Sequence, residues 1–212
     1  MVVVKDKNIQ IERLELGPWR TNSYIVTCQI TRDSVLIDAP ADTSTIIDRL
    51  SSTNPKYILL THNHVDHIGA LAELQFKLKV PLAACALDSG KLQSPPEILL
   101  SDSDTVSFGN LKFEVLHTPG HTHGSLCFKV GHYLVSGDTI FSEGPGRTRL
   151  PADFKQIVKS ITKKIFVLPD DTQIYPGHGD STVLKKEKGE FAIFSSRSHN
   201  PDLCGDVLWL SS

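Results

Sequence analysis

The chain has little of what marks a secreted, membrane-spanning or nucleic-acid-binding protein. Cysteine occurs four times, at Cys28, Cys85, Cys127 and Cys204, and no two form a Cys-x-x-Cys pair. That pattern argues against a disulfide framework and against a cysteine-built structural zinc module. Cys28, Cys85 and Cys127 lie in strand-like or apolar stretches and read as buried thiols. Long hydrophobic runs are missing too. The longest uncharged one, Val80 to Leu87, is far short of a membrane span. Met1 to Lys7 acquires charge too early for a signal peptide, so a cytoplasmic location is expected. Neither charge sign dominates: 22 basic and 24 acidic residues leave a net charge of −2, so no basic excess points to nucleic acid. No Gly-x-Ser-x-Gly elbow is present, which removes the usual serine-nucleophile route. There is no low-complexity tract and no linker. The 212 residues are expected to form one domain over 1–212, with 188–212 a short tail packed on it. Phe191, Phe194, Leu203, Val207, Trp209 and Leu210 make that tail too apolar to stay disordered.

What the chain does have is Thr61-His62-Asn63-His64-Val65-Asp66-His67-Ile68-Gly69. Three imidazoles and a carboxylate are concentrated there. Tyr57 to Leu60, just before, reads as a short buried strand. Ile68, Leu71, Leu74 and Phe76, just after, begin a helical pattern. The histidines thus fall where a strand gives way to a helix, a place where a rigid scaffold presents chemistry. On extended backbone His62 and His64 project to the same side, while Asp66 and His67 turn into the helix. Imidazole nitrogen and carboxylate oxygen are ligands for zinc, and imidazole also suits iron.

The order of elements repeats. Tyr24 to Ile30 and Ser34 to Ile37 form a hairpin delivering Asp38; a short helix around Ile46 to Leu50 follows, capped by Asp42 or Thr43, then the strand and the histidine loop. In the second half, Ser125 to Val130 and Tyr133 to Ser136 form a hairpin delivering Asp138. A helix over Phe154 to Ile165 follows, then the strand Gln173 to Tyr175 and the loop Pro176-Gly177-His178-Gly179. Two such units predict two mixed sheets face to face, helices outside, with Asp and His loops meeting at one edge. Between the halves, Leu82 to Ser94 reads as partly helical and Glu97 to Asp104 as a loop. His121 follows the turn-forming Pro119-Gly120. His117 and His123 read as its neighbours rather than ligands. Asp38 reads in two ways, as a carboxylate orienting a ligand histidine through its other ring nitrogen, in preference to a direct ligand, or as a turn or helix-capping aspartate.

These motifs together, His-x-His-x-Asp-His, Thr-Pro-Gly-His, Gly-Asp-Thr and Pro-Gly-His-Gly, resemble the metallo-β-lactamase superfamily. The resemblance implies an α/β fold, an αββα sandwich of two mixed β-sheets. It implies one metal held by His62, His64 and His121, a second held by Asp66, His67 and His178, and Asp138 bridging them. Two divalent ions follow, zinc foremost, with iron or manganese as alternatives. The implied activity is that of a metallo-hydrolase attacking a small-molecule substrate with a metal-bridging hydroxide that Asp66 could also hydrogen-bond. Gly137 to Phe141 followed by Gly146-Arg147 is similar to the glyoxalase II-like branch, the hydroxyacylglutathione hydrolases, which cleave thioesters. Two departures weaken the glutathione part. Gly179-Asp180 stands where that branch carries a tyrosine after its last metal histidine, and the short segment after His178 holds no basic helical domain. Arg147-Thr148-Arg149 reads in two ways, as a segment overhanging the site where arginine would suit an anionic substrate carboxylate, or as a solvated loop. The same resemblance admits a mononuclear iron persulfide dioxygenase, or lactonase or β-lactamase chemistry. No nucleic-acid or membrane partner is expected, and nothing fixes the oligomeric state or the role of His199.

Overall fold

Strands in the middle of both sheets are apolar on both faces, and the layering explains why. The computed structural model describes residues 1–212. The first half supplies β1 (Val2–Lys5), β2 (Ile9–Leu16), β3 (Thr21–Cys28), β4 (Asp33–Ile37), α1 (Thr43–Leu50), β5 (Asn54–Leu59), α2 (Val65–Ile68), α3 (Leu71–Leu78), β6 (Leu82–Cys85) and β7 (Ile98–Leu100). Its seven strands form one sheet in chain order, antiparallel from β1 to β4 and parallel from β4 to β7. The second half supplies β8 (Thr105–Phe108), β9 (Leu111–His117), β10 (Leu126–Val130), β11 (Tyr133–Gly137), β12 (Ile140–Phe141), β13 (Gly144–Pro145), α4 (Pro151–Ser160), β14 (Gln173–Pro176), β15 (Thr182–Val183) and α5 (Leu184–Ser195). Six of these strands form the second sheet in the order β15-β14-β11-β10-β9-β8, with β11 and β14 parallel, while β12 and β13 pair apart as a small ribbon.

Side chains alternate between layers with the strand period of two. Val26, Val35, Ile37, Phe128 and Val135 point between the sheets, where Phe113, Val115 and Tyr175 join them. Ile25 and Leu36 point the other way, onto Ile46 and Leu50 of α1 and Leu71 and Leu74 of α3. Cys127 and Leu134 face outward on the second sheet, under Phe154 and Ile157 of α4 and Leu184 and Phe194 of α5. The result is the expected αββα sandwich of two mixed β-sheets with helices outside. Cys28, Cys85 and Cys127 are buried and unpaired. No helix is long and apolar enough to cross a membrane. Beyond α5, Trp209 is fully buried, with its ring against Phe191 and Phe194. The Trp209 backbone N–H donates to the Glu143 carbonyl, and Thr148 and Gly205 pair as an isolated bridge.

Three local readings differ. Leu82–Cys85 is a fully buried parallel strand, and the turn after it, Ala86–Lys91, is a 3₁₀ helix. A four-residue apolar run cannot be told from a helical segment by periodicity. Ile98–Leu100 is an edge strand inside the expected loop. The helical pattern after the histidines is broken at Gly69-Ala70 into α2 and α3; Leu71 and Leu74 are buried but Phe76 is 78% exposed.

The topology positions the site. β4 runs into Asp38, β5 runs into the histidine loop, β11 runs into Asp138, and β14 runs into His178. These are the carboxyl ends of parallel neighbours, β4 and β5 in one sheet and β11 and β14 in the other. Cross-sheet bonds hold the two edges together. The Pro176 carbonyl accepts from the Asn22 amide (3.0 Å) and the Tyr24 hydroxyl (2.7 Å), and the Asn22 N–H donates to Gly177 O (2.7 Å).

Candidate metal centre

All seven residues expected as ligands converge at that edge, from four loops. Their donor atoms fall into three overlapping groups, each within 4.8 Å: His62, His64 and His121; His62, His67 and Asp138; and Asp66, His67 and His178. In the first group, His64 Nδ1 lies 3.1 Å from His62 Nε2 and 2.9 Å from His121 Nε2. In the third, His178 Nε2 lies 3.1 Å from Asp66 Oδ2 and 3.4 Å from His67 Nε2. The Asp138 carboxylate stands between them. Its Oδ1 is 3.3 Å from His67 Nε2, and its Oδ2 is 3.4 Å from His121 Nε2 and 3.7 Å from His178 Nε2. His117 and His123 stay outside all three groups.

The other ring nitrogen of each histidine explains where the lone pairs point. His67 Nδ1 is 2.7 Å from Asp38 Oδ2, His121 Nδ1 is 2.8 Å from the Arg147 carbonyl, and His178 Nδ1 is 3.2 Å from the Trp19 carbonyl. These oxygens can only accept, so each Nδ1 carries the hydrogen and each Nε2 turns toward the centre. His62 is fixed at one remove. The Thr61 hydroxyl donates to Asp38 Oδ2 (2.7 Å) and is left to accept from His62 Nδ1 (3.1 Å). Asp38 also accepts the Thr61 N–H at 2.8 Å. One buried carboxylate therefore orients two histidines, one in each outer group. Asp38 is held at φ 60°, a left-handed conformation that Asp tolerates better than most residues.

This arrangement fits a metal ion. With Nδ1 carrying the hydrogen on His62 and His121, both Nε2 lone pairs converge on His64 Nδ1, and a proton there can be shared with only one of them at a time. The buried Asp138 Oδ1 has no hydrogen-bond partner, a state that costs free energy unless a cation or donor meets it. Electrostatics agree. Burial and then the neighbouring His67 push His62 well below its usual pKa, and burial and then His121 push His64 down to about 4. Both are neutral donors at neutral pH. Burial also acts against a charged His67, but Asp38 and Asp138 on either side outweigh it and lift His67 to about 10. The pocket thus prefers a positive charge beside His67 Nε2, where a bound metal would replace the proton. Burial would raise Asp138, yet the surrounding imidazoles hold its carboxyl well below the usual range.

Glycine is required at Gly177. A Cβ there would collide with Asp138 Oδ1 and His67 Cε1, so the β14 loop could not close over the centre.

The site opens into a cleft of about 870 Å³ walled by Trp19, Val65, Arg147, Arg149 and Cys204. Arg147 is exposed and lies 3.6 Å from Asp206 of the tail. His199 serves the tail instead: it stacks on Phe194 at 3.8 Å and bonds to that residue's carbonyl. Sequence reasoning missed Thr61, Asn22 and the Trp19 carbonyl. Only Thr61 had a signal, as the residue opening the histidine loop.

A family model described as the metallo-beta-lactamase superfamily matches residues 16–178. A relative described as a probable metallo-hydrolase, YqgX of Bacillus subtilis (strain 168), is 32% identical over 201 residues, covering 84% of this chain and 94% of its own. The probable hydroxyacylglutathione hydrolase glo2 of Schizosaccharomyces pombe is 31% identical over 221 residues, covering 89% and 84%. Among solved structures, TTHA1623 in a di-iron-bound form superposes with a TM-score of 0.71 at 33% identity, covering 84% of this chain and 96% of that one.

Proposed function

The chain belongs to the metallo-beta-lactamase superfamily, and from that premise we propose that it hydrolyses small acyl thioesters at a two-metal centre. The observation that carries the reading is the place of Asp138, a buried carboxylate with an orphaned oxygen set between two groups of imidazole and carboxylate donors. His62, His64 and His121 would hold one ion, Asp66, His67 and His178 the other, and Asp138 would touch both. Zinc suits the donor set first, and iron or manganese would also fit it. Bound there, such ions lower the pKa of water toward neutrality and polarise a carbonyl oxygen.

The chain's own groups do the rest. Asp38, Thr61, Trp19 and Arg147 fix the histidine rings before substrate arrives, so no reorganisation is needed during reaction. Asp66 is the one carboxylate of the outer groups with an edge toward the cleft, its side chain 20% exposed. It is placed to accept a proton from an attacking water. Arg149, and Arg147 with Asp206 3.6 Å away, stand at the mouth, where a guanidinium can meet a carboxylate elsewhere on the substrate. A thioester matches this machinery, because its carbonyl is electrophilic and the departing thiolate needs no protonation.

Recognition of a glutathione moiety should be weak. The position after His178 is Gly179, followed by Asp180, whose side chain is 92% exposed and lies 3.2 Å from Arg13. Gly179 offers no side chain to contact a tripeptide, and Asp180 is committed to Arg13. The check compares kcat/KM for S-lactoylglutathione with that for a truncated thioester of the same acyl group. Both should be turned over, with rates differing much less than a thousandfold. A thousandfold preference for the glutathione form, roughly 4 kcal/mol, would show a shaped glutathione pocket. No turnover of either, with oxygen-dependent consumption of a persulfide, would move the chain to the dioxygenase class.

A further inference from the structure

Asp88 lies outside the donor set, on the 3₁₀ turn Ala86–Lys91 after β6, an element that offers no ligand. It is 5% exposed. Its Oδ2 accepts from the Asn63 N–H at 3.2 Å and from the Thr122 hydroxyl at 2.8 Å, and its Oδ1 accepts from the Gly124 N–H at 3.0 Å. Its backbone carbonyl accepts from the Asn63 side-chain amide at 2.8 Å. Asn63 sits between His62 and His64, and Thr122 follows His121. One carboxylate thus ties together the two loops that carry His62, His64 and His121, and every bond is made beside a histidine rather than at the loop base. All its partners are neutral donors, so burial of the charge is met by hydrogen bonds alone. Gly124 belongs to the same design: a Cβ there would stand 2.5 Å from Asp88 Cγ.

We propose that Asp88 is the positioning residue that holds His64 and His121 at metal-binding separation, so that the His62–His64–His121 group, and not the Asp66–His67–His178 group, depends on it. The proposal rests on the two-metal reading above. Its reach is selective because Asp88 touches nothing near His67 or His178, whose rings are set from Asp38 and Trp19. The loops also meet through the Leu126 N–H on the Thr61 carbonyl, but that bond lies at the loop bases, before His62 in one loop and well after His121 in the other.

Cobalt(II) titration read by its visible bands, with a competing chelator, tests this. Wild-type protein should bind in two steps, and a His178→Ala reference identifies the step belonging to Asp66, His67 and His178. Asp88→Ala should weaken the other step by about 10–100-fold, the usual cost of removing a group that orients a ligand, and leave the His178 step unmoved. Thr122→Val, which removes the hydroxyl's bonds to Asp88 and to Ser125 without opening a cavity, should shift the same step in the same direction by less. Asp88→Asn, which keeps one acceptor oxygen, should fall between. Should Asp88→Ala fail to fold, the Thr122→Val and Asp88→Asn shifts decide. Equal weakening of both steps, or unchanged binding in all three variants, overturns the assignment while the wild-type titration still supports a metal centre. Wild-type protein that takes up no cobalt overturns both readings.

Discussion

Asp138→Ala is expected to abolish turnover while the protein stays folded. The carboxylate stands within 3.3–3.7 Å of ring nitrogens of His67, His121 and His178, so its loss disturbs both donor groups at once. Charge stabilisation at such centres contributes several kcal/mol, so kcat/KM should fall by roughly 10³-fold or more. The fold should survive because Asp138 packs at the cleft edge and belongs to none of the three apolar clusters. Asp138→Asn keeps the shape and one oxygen donor and should retain a trace of activity. Wild-type rates in the alanine variant, with unchanged circular dichroism, would remove Asp138 from the centre.

The second large effect is expected at Asp38, and it should appear even with metal stripped. Asp38→Ala leaves the Thr61 N–H, the Thr61 hydroxyl and the His67 Nδ1–H without their acceptor, all buried. Each orphaned donor costs about 1–3 kcal/mol, and alanine at φ 60° adds about 1 more. Some relaxation will offset part of this, so a loss of about 3–5 kcal/mol is expected. Denaturant unfolding in the presence of chelator measures it. Metal affinity in the folded fraction should fall as well, because His67 and His62 both lose the contact that sets their tautomer. Asp38→Asn keeps the volume and tolerates the left-handed backbone, but presents an NH₂ group to donors and should be intermediate. If the alanine variant unfolds within 1 kcal/mol of wild type and binds metal equally well, Asp38 is only a turn residue.

How much of this was legible depended on where each signal resides. The histidine loop was plain, because its donors are contiguous and an apolar strand precedes them. Asp138 and His178 could be read from short motifs after strand-like stretches. The sandwich followed from the repeated order of hairpin, Asp, helix, strand and loop. Asp38 was readable as an orienting residue, but its hold on His62 through Thr61 was not, since that link exists only once β4 and β5 pair. Asp88 lay inside the stretch from Leu82 to Ser94 that reads as partly helical, and nothing in its own segment shows that two distant loops close on it. The Trp19 and Arg147 carbonyls carry no residue-type signal at all: any side chain would supply the same backbone oxygen. The misread strand at Leu82–Cys85 has a similar origin, since a central parallel strand has no polar face to betray its period.

The central claim is that two metal ions sit in one chain with Asp138 between them. Elemental analysis of protein loaded to saturation, paired with anomalous diffraction from crystals of the same sample, tests it most directly. The account predicts two transition-metal ions per chain, one peak among His62, His64 and His121 and one among Asp66, His67 and His178, each in contact with Asp138. A stoichiometry that stays at one under saturating metal, with His67 and His178 unliganded, would contradict it.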